Sequence, residues 1–227
     1  MTTRIRSGLM LAAVLALMAL VWPFVRYALE LGALGLSDGA ATQSRLFTPG
    51  AQVPNVAIFA HMAAGAVLTL MIAVQLLDGL RQRWMRLHRI NGYLMFTCAM
   101  LTGAGGLAYI AFRGTIGGPW MNTGFALYGG LMIGVAIQTV RRAQQRRVSS
   151  HRRWALRLFV LAMGSWLYRV HYGIWYALTG GVASNEAFTG TFDLVQNFAF
   201  YLPYLLMLEL WFRSKPPQRE MSTQTSL

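Results

Sequence analysis

Six stretches of the chain are predominantly apolar over about 20 residues, the length that crosses the hydrocarbon core of a bilayer as a helix. They run approximately from Gly8 to Tyr27, Asn55 to Leu77, Ile90 to Phe112, Trp120 to Val140, Trp154 to Leu178 and Thr191 to Trp211. The pattern predicts an all-α fold, a bundle of six transmembrane helices in one integral-membrane domain over residues 1–213. A polar tail from Ser214 to Leu227 follows, expected to be disordered. Between the first two spans, Leu31 to Pro54 carries SDG, TPG and VPN and reads as an external loop with several turns. Glu30 stands four residues after Arg26, so the first helix is expected to run on beyond Pro23 with an i,i+4 ion pair.

Composition agrees with the periodicity. Of 227 residues 56% are hydrophobic and 12% charged, too apolar for an ordinary soluble domain. The net charge of +13 does not indicate nucleic acid, because the charges lie in short runs between apolar spans, where they set topology and meet lipid headgroups. Of the 20 Lys and Arg residues, 15 fall in the N-terminus, the segments Asp78 to Arg89 and Arg141 to Arg153, and the tail after Trp211. The positive-inside rule then places both termini in the cytoplasm of a multi-pass protein of a bacterial inner membrane. Cys98 is the only cysteine, so neither an intramolecular disulfide nor a CxxC metal site can form.

Candidate chemistry rests on the four histidines and on ionisable groups inside spans, which are costly there and need a reason. The fifth span encloses both kinds of residue. Arg157 and His171 lie about 40° from one face, with Gly164 midway, whereas His151 and Arg169 fall on another. His61 enters from the outside on the second span, and His171 approaches the outside on the fifth, so the two are expected at one level. His88 and His151 form an inner layer at the cytoplasmic rim, with Gln75 near the inner end of the second span. Paired imidazoles from different helices would supply the axial nitrogens of a b-type haem, one or two per chain, with arginines for the propionates. Glycines at 103, 105, 106, 130 and 134 admit close helix approach or a flat cofactor.

The elements His61, Gln75, Arg81, the cluster His88, Arg89 and Gly92, and then His151, Trp154, Arg157 and Arg169 resemble a family of bacterial predicted membrane proteins, a domain of unknown function, over about Phe59 to Tyr172. Tyr93 stands where that pattern has Arg, and His171 lies outside it. The resemblance implies a membrane location and no reaction. It favours His61, Gln75, His88, His151 and Arg157 as the functional group. The layered four-histidine plan is also similar to transmembrane dihaem cytochromes b, which implies electron transfer between a donor such as ascorbate or a quinol and an acceptor.

Three readings stay open: a haem-binding electron carrier with a quinol or protein redox partner; a cofactor-free or proton-coupled transporter lined by the same groups; and a structural or regulatory protein, alone or as a homo-oligomer, whose Arg-rich loops bind lipid. No hydrolase or transferase motif appears, and whether the chain is an enzyme stays open.

Overall fold

A computed structural model describes residues 3–77 and 82–214. Among them the chain is helical and contains no strand. In order come α1 (Thr3–Ser37), a single 3-10 turn at Ala40–Thr42, α2 (Gln52–Val74), α3 (Met85–Arg113), α4 (Gly118–Gln144), α5 (Val148–Thr179), α6 (Thr191–Ala199) and α7 (Leu202–Ser214). Residues 78–81 of the first basic hairpin, Arg81 included, and the expected disordered tail beyond Ser214 lie outside the described residues.

Among the described residues four helices are long and apolar enough to cross a membrane: Gly8–Ser37, Gln52–Val74, Met85–Arg113 and Gly118–Gln144. At 32 residues α5 is as long, but its Arg and His residues lower its hydropathy. It packs along α2 and α4.

Most helix ends run past the expected boundaries, while α2 stops at Val74, short of Leu77. The first helix runs through Pro23 to Ser37, with Arg26 Nε donating to Glu30 Oε1 at 2.7 Å. Pro23 removes one main-chain donor, yet Val21, Val25 and Ala28 are buried on either side of it and hold the helix together. His88 and Arg89 lie inside α3, and His151 to Arg153 inside α5, where loop had been expected. Helix is the cheapest backbone near lipid, because it satisfies its own amides while Arg side chains reach outward. The last span is broken in two at Phe200 and Tyr201. Pro203, which has no amide hydrogen for the oxygen of Ala199, accounts for the break.

α2, α3, α4 and α5 form a ring, each packed on the next and α5 closing onto α2. α1 lies outside along α2, while α6 packs on α4 and α7 on α5. The closure is made at Leu161 to Gly164, buried between α2 and α4. Thr69 donates across to Ala162 O at 3.1 Å, and Tyr128 donates to Leu161 O. Gly164 is needed there, since a Cβ would come within 3.0 Å of the Tyr128 ring.

Candidate functional site

The rings of His61, His151 and His171 are each bonded to groups other than histidine. His61 Nδ1 lies 2.6 Å from the main-chain oxygen of Thr102 on α3, and His151 Nδ1 lies 2.9 Å from that of Thr139 on α4. At His88 the main-chain oxygen accepts from Gln75 Nε2 at 3.0 Å, which ties the inner ends of α2 and α3 together. His171 uses both ring nitrogens: Nδ1 is 3.0 Å from Gln196 Nε2 and Nε2 is 2.7 Å from the Tyr204 hydroxyl.

The expected pairing of His61 with His171 is therefore not formed. The reason is rotation about α5. His171 is two residues beyond Arg169, about 200° round the helix, and faces α6 and α7. Arg169 faces the ring interior with His61. His88 joins α3 to α2 through its main-chain oxygen, whereas the ring of His151 joins α5 to α4.

Arg157 is taken up by Glu209 of α7 in a two-pronged ion pair, Nε to Oε1 at 2.6 Å and Nη2 to Oε2 at 2.9 Å. Its guanidinium also lies over Trp154 at 4.5 Å and Phe212 at 5.1 Å. Asp193 is wholly buried and accepts four hydrogen bonds, from Tyr172 Oη, Ser184 Oγ and the amides of Asn185 and Gly190. It anchors the segment between α5 and α6. Both carboxylates have structural employment.

Arg169 has none of this kind. Its Nη1 donates to Ser165 O at 2.9 Å and Ser165 Oγ at 3.1 Å within its own helix, and the guanidinium covers the ring of Phe24 on α1 at 4.7 Å. Among the described residues no carboxylate pairs with it. A guanidinium carries five N–H donors, and Arg169, which is exposed, lines a cavity.

That cavity, about 620 Å³, lies inside the α2–α5 ring with α1 along one side. This is the size of a site for a small organic molecule. Its wall is mainly apolar and aromatic, with Phe125, Tyr128, Tyr168 and Phe200 among the rings. His61, Thr102, Ser165 and Arg169 are polar groups of its wall, Leu68, Thr69, Met132 and Ala162 line it further from Arg113, Arg45 and Arg113 stand toward the connector between α1 and α2, and no lining residue is Asp or Glu. Thr102 Oγ1 is buried without a hydrogen-bond partner. His61 lies about 14 Å from the start of α2, Arg169 about 15 Å from the end of α5, and Thr102 about 17 Å from the end of α3. These three therefore share one level, while Arg113, the last residue of α3, marks the mouth.

Bonding of Nδ1 to the Thr102 oxygen places the ring proton there and leaves Nε2 as an acceptor or ligand. The approach depends on Gly105 and Gly106: a Cβ on Gly105 would sit 2.6 Å from Ala57 O, and one on Gly106 would sit 3.1 Å from His61 Nδ1. Arg113 is held by donating Nη1 to Leu46 O at 2.6 Å and to Tyr109 Oη at 2.8 Å. Among the described residues no group of three or more His, Cys, Asp or Glu gathers as a metal site would require. Sequence reasoning found His61 and Arg169 but not Thr102, Ser165, Arg45, Arg113 or Phe24. Only the polar character of Thr102 and Ser165 inside spans could have signalled them.

Comparison with curated proteins gives no match, and comparison with solved structures gives none either. A family model described as predicted membrane protein (DUF2306) matches residues 58–212. That stretch contains α3, α4, α5 and α6 whole, most of α2 and α7, and the cavity residues His61, Thr102, Ser165 and Arg169. The chain therefore belongs to this family of predicted membrane proteins of unknown function.

Proposed function

We infer that the protein binds a small, mainly apolar molecule inside the bundle, with the molecule's polar head on His61, Thr102 and Arg169. The observation that carries this reading is Arg169, a guanidinium that lines a cavity without a carboxylate partner, on the same helix whose Arg157 has one. A ligand oxygen would give this guanidinium an acceptor beyond those of Ser165. Thr102 Oγ1 adds a donor that also lacks a protein partner, and His61 Nε2 adds an acceptor. The positive-inside pattern orients the bundle with both termini in the cytoplasm of a bacterial inner membrane.

A second reading follows from the His61–Thr102 contact, because a ring whose Nδ1 faces a carbonyl is oriented as metal-ligating imidazoles commonly are. A b-type haem would then be held by His61 Nε2, with Arg45 and Arg113 toward its propionates. The chain's residues fit this with one axial nitrogen, since both nitrogens of His171 are engaged elsewhere. When bound, the haem would supply one-electron chemistry.

Both readings are tested on detergent-purified protein. Its absorption spectrum, with and without dithionite, is recorded, and its organic extract is compared by mass spectrometry with extracts of His61→Ala and Arg169→Leu. A haem band lost in His61→Ala supports the second reading. A colourless protein with an extractable molecule depleted in both variants supports the first. Identical extracts from all three, without pigment, exclude both.

A further inference from the structure

The wall of the cavity carries positive charge with no carboxylate to cancel it. Arg45, Arg113 and Arg169 line it, and no lining residue is Asp or Glu. Two arginines outside the cavity are paired, Arg26 with Glu30 and Arg157 with Glu209, but among the described residues none of the three cavity arginines forms an ion pair. Two of the three are held at one end. Arg113 Nη1 donates to Leu46 O at 2.6 Å and to Tyr109 Oη at 2.8 Å, which ties the connector after α1 to the last residue of α3 and brings Arg45, the neighbour of Leu46, to the same end of the cavity. Both hydrogens of Nη1 are then used, and Nε and Nη2 keep the remaining donors. Like charges gathered at one end of a mainly apolar cavity raise the local potential and concentrate anions there.

The opposite end is apolar. Leu68, Thr69, Met132 and Ala162 line the cavity away from Arg113, and Thr69, eight residues after His61, lies about 12 Å further along α2. Its hydroxyl is shared between Gly65 O at 2.8 Å and Ala162 O at 3.1 Å, so its proton is not available to an occupant. Between the two ends stand Arg169 and His61, whose Nε2 is an acceptor. A carboxyl group suits both. Ionised, it presents two oxygens to the guanidinium in matching fork geometry; protonated, it can give its hydrogen to Nε2. A phosphodiester has no such hydrogen, an amine would meet three cations, and an alcohol leaves the charge of the wall unanswered.

We propose that the cavity binds a carboxylic acid with an apolar body, its carboxylate on Arg169 and its apolar part toward Met132 and Ala162. This rests on the reading of the cavity as a ligand site and narrows it to one chemical class.

The test uses the full chain in immobilised phosphatidylcholine nanodiscs and radiolabelled decanoate, with retention on empty nanodiscs subtracted. Saturable retention is expected, and unlabelled decanoate should displace the label at least tenfold more effectively than decanol or decyltrimethylammonium, which carry the same chain. Arg169→Gln is expected to weaken decanoate binding at least tenfold and Arg169→Lys, which restores the charge, less than fivefold. Arg45→Gln with Arg113→Gln is expected to slow association several fold at low salt, a difference that shrinks as salt is added. Arg26→Gln removes the same charge outside the cavity and should change neither affinity nor rate by more than twofold. Gly65 lines the cavity, and an added Cβ there meets Thr102 at an ordinary 3.5 Å, so Gly65→Leu fills the space and should abolish retention. If Arg169→Gln does not fold, the competition between decanoate and decanol in the unaltered protein decides.

If decanol displaces the label as well as decanoate does, or if Arg169→Gln retains decanoate like the unaltered protein, the proposal fails; retention that Gly65→Leu still abolishes leaves the cavity reading standing. Retention of decanoate that disappears when a tenth of the lipid is phosphatidylglycerol puts a phospholipid anion in the site instead, and the proposal fails in the same way. Association unchanged in Arg45→Gln with Arg113→Gln overturns the part given to the outer pair. If no amphiphile is retained, and the organic extract of Gly65→Leu lacks nothing found in that of the unaltered protein, the proposal and the cavity reading fall together.

Discussion

His61 Nδ1 and the main-chain oxygen of Thr102 are 2.6 Å apart, and this one contact sets the tautomer of the ring that faces the cavity. It joins α2 to α3 and leaves Nε2 as the ring's only uncommitted nitrogen. Replacing His61 by Ala is expected to lower ligand retention at least tenfold while costing only about 1 kcal/mol of stability, the ordinary worth of one neutral hydrogen bond. Retention by mass spectrometry and unfolding in a denaturing detergent measure the two effects separately.

His171 gives the opposite expectation. Its nitrogens bind Gln196 and Tyr204, and it faces away from Arg169. His171→Phe should lower stability by about 1 kcal/mol and leave ligand retention unchanged. A loss of ligand or pigment in this variant, with the fold intact, would restore the His61–His171 pairing expected from the sequence.

Arg157 and Glu209 join α5 to α7, with side-chain exposures of 18% and 40%. Because the pair is only partly buried, Glu209→Ala should cost about 2 kcal/mol, less than the ~3–5 kcal/mol of a fully buried pair. Arg157→Leu combined with Glu209→Leu should cost less than the sum of the single changes. A double-mutant cycle of unfolding free energies measures the coupling, which is expected to be favourable.

Gly105 sets the distance between α2 and α3 beside the site. A Cβ would come within 2.6 Å of Ala57 O, so Gly105→Ala should destabilise by about 1–3 kcal/mol and Gly105→Val by more. Both should also weaken ligand retention, because the contact between His61 and Thr102 spans the same pair of helices. Gly130, around which an added Cβ meets nothing within 4 Å, is the control: Gly130→Ala should be neutral or slightly stabilising.

The bundle was legible in the sequence because apolar length and the distribution of arginines are local properties. Depth was legible too: counting residues along antiparallel helices put His61 level with the outer half of α5. Counting did not settle which α5 residue would meet it there. Arg169 and His171 lie about 15 Å and about 12 Å from the helix end, too close to be separated by depth, and the choice rests on rotation about the axis. Rotation is set by packing, here by Leu161 to Gly164 between α2 and α4. The partners of Arg157 and His171 were hidden for a related reason. Glu209, Gln196 and Tyr204 sit on a span broken at Tyr201, so their facing could not be extrapolated from one helical repeat. Thr102 contributes through its carbonyl as well as its hydroxyl, and a main-chain oxygen leaves no mark on the sequence.

The central claim concerns what Arg169 faces, and an experimental density map of the protein in a lipid nanodisc tests it most directly. The expected map has non-protein density inside the α2–α5 ring, with oxygen-compatible contacts to Arg169 and Thr102 and a contact to His61 Nε2. A ring closed by side-chain packing, with the Arg169 guanidinium turned out to lipid phosphate or onto a carboxylate of the chain, would contradict it.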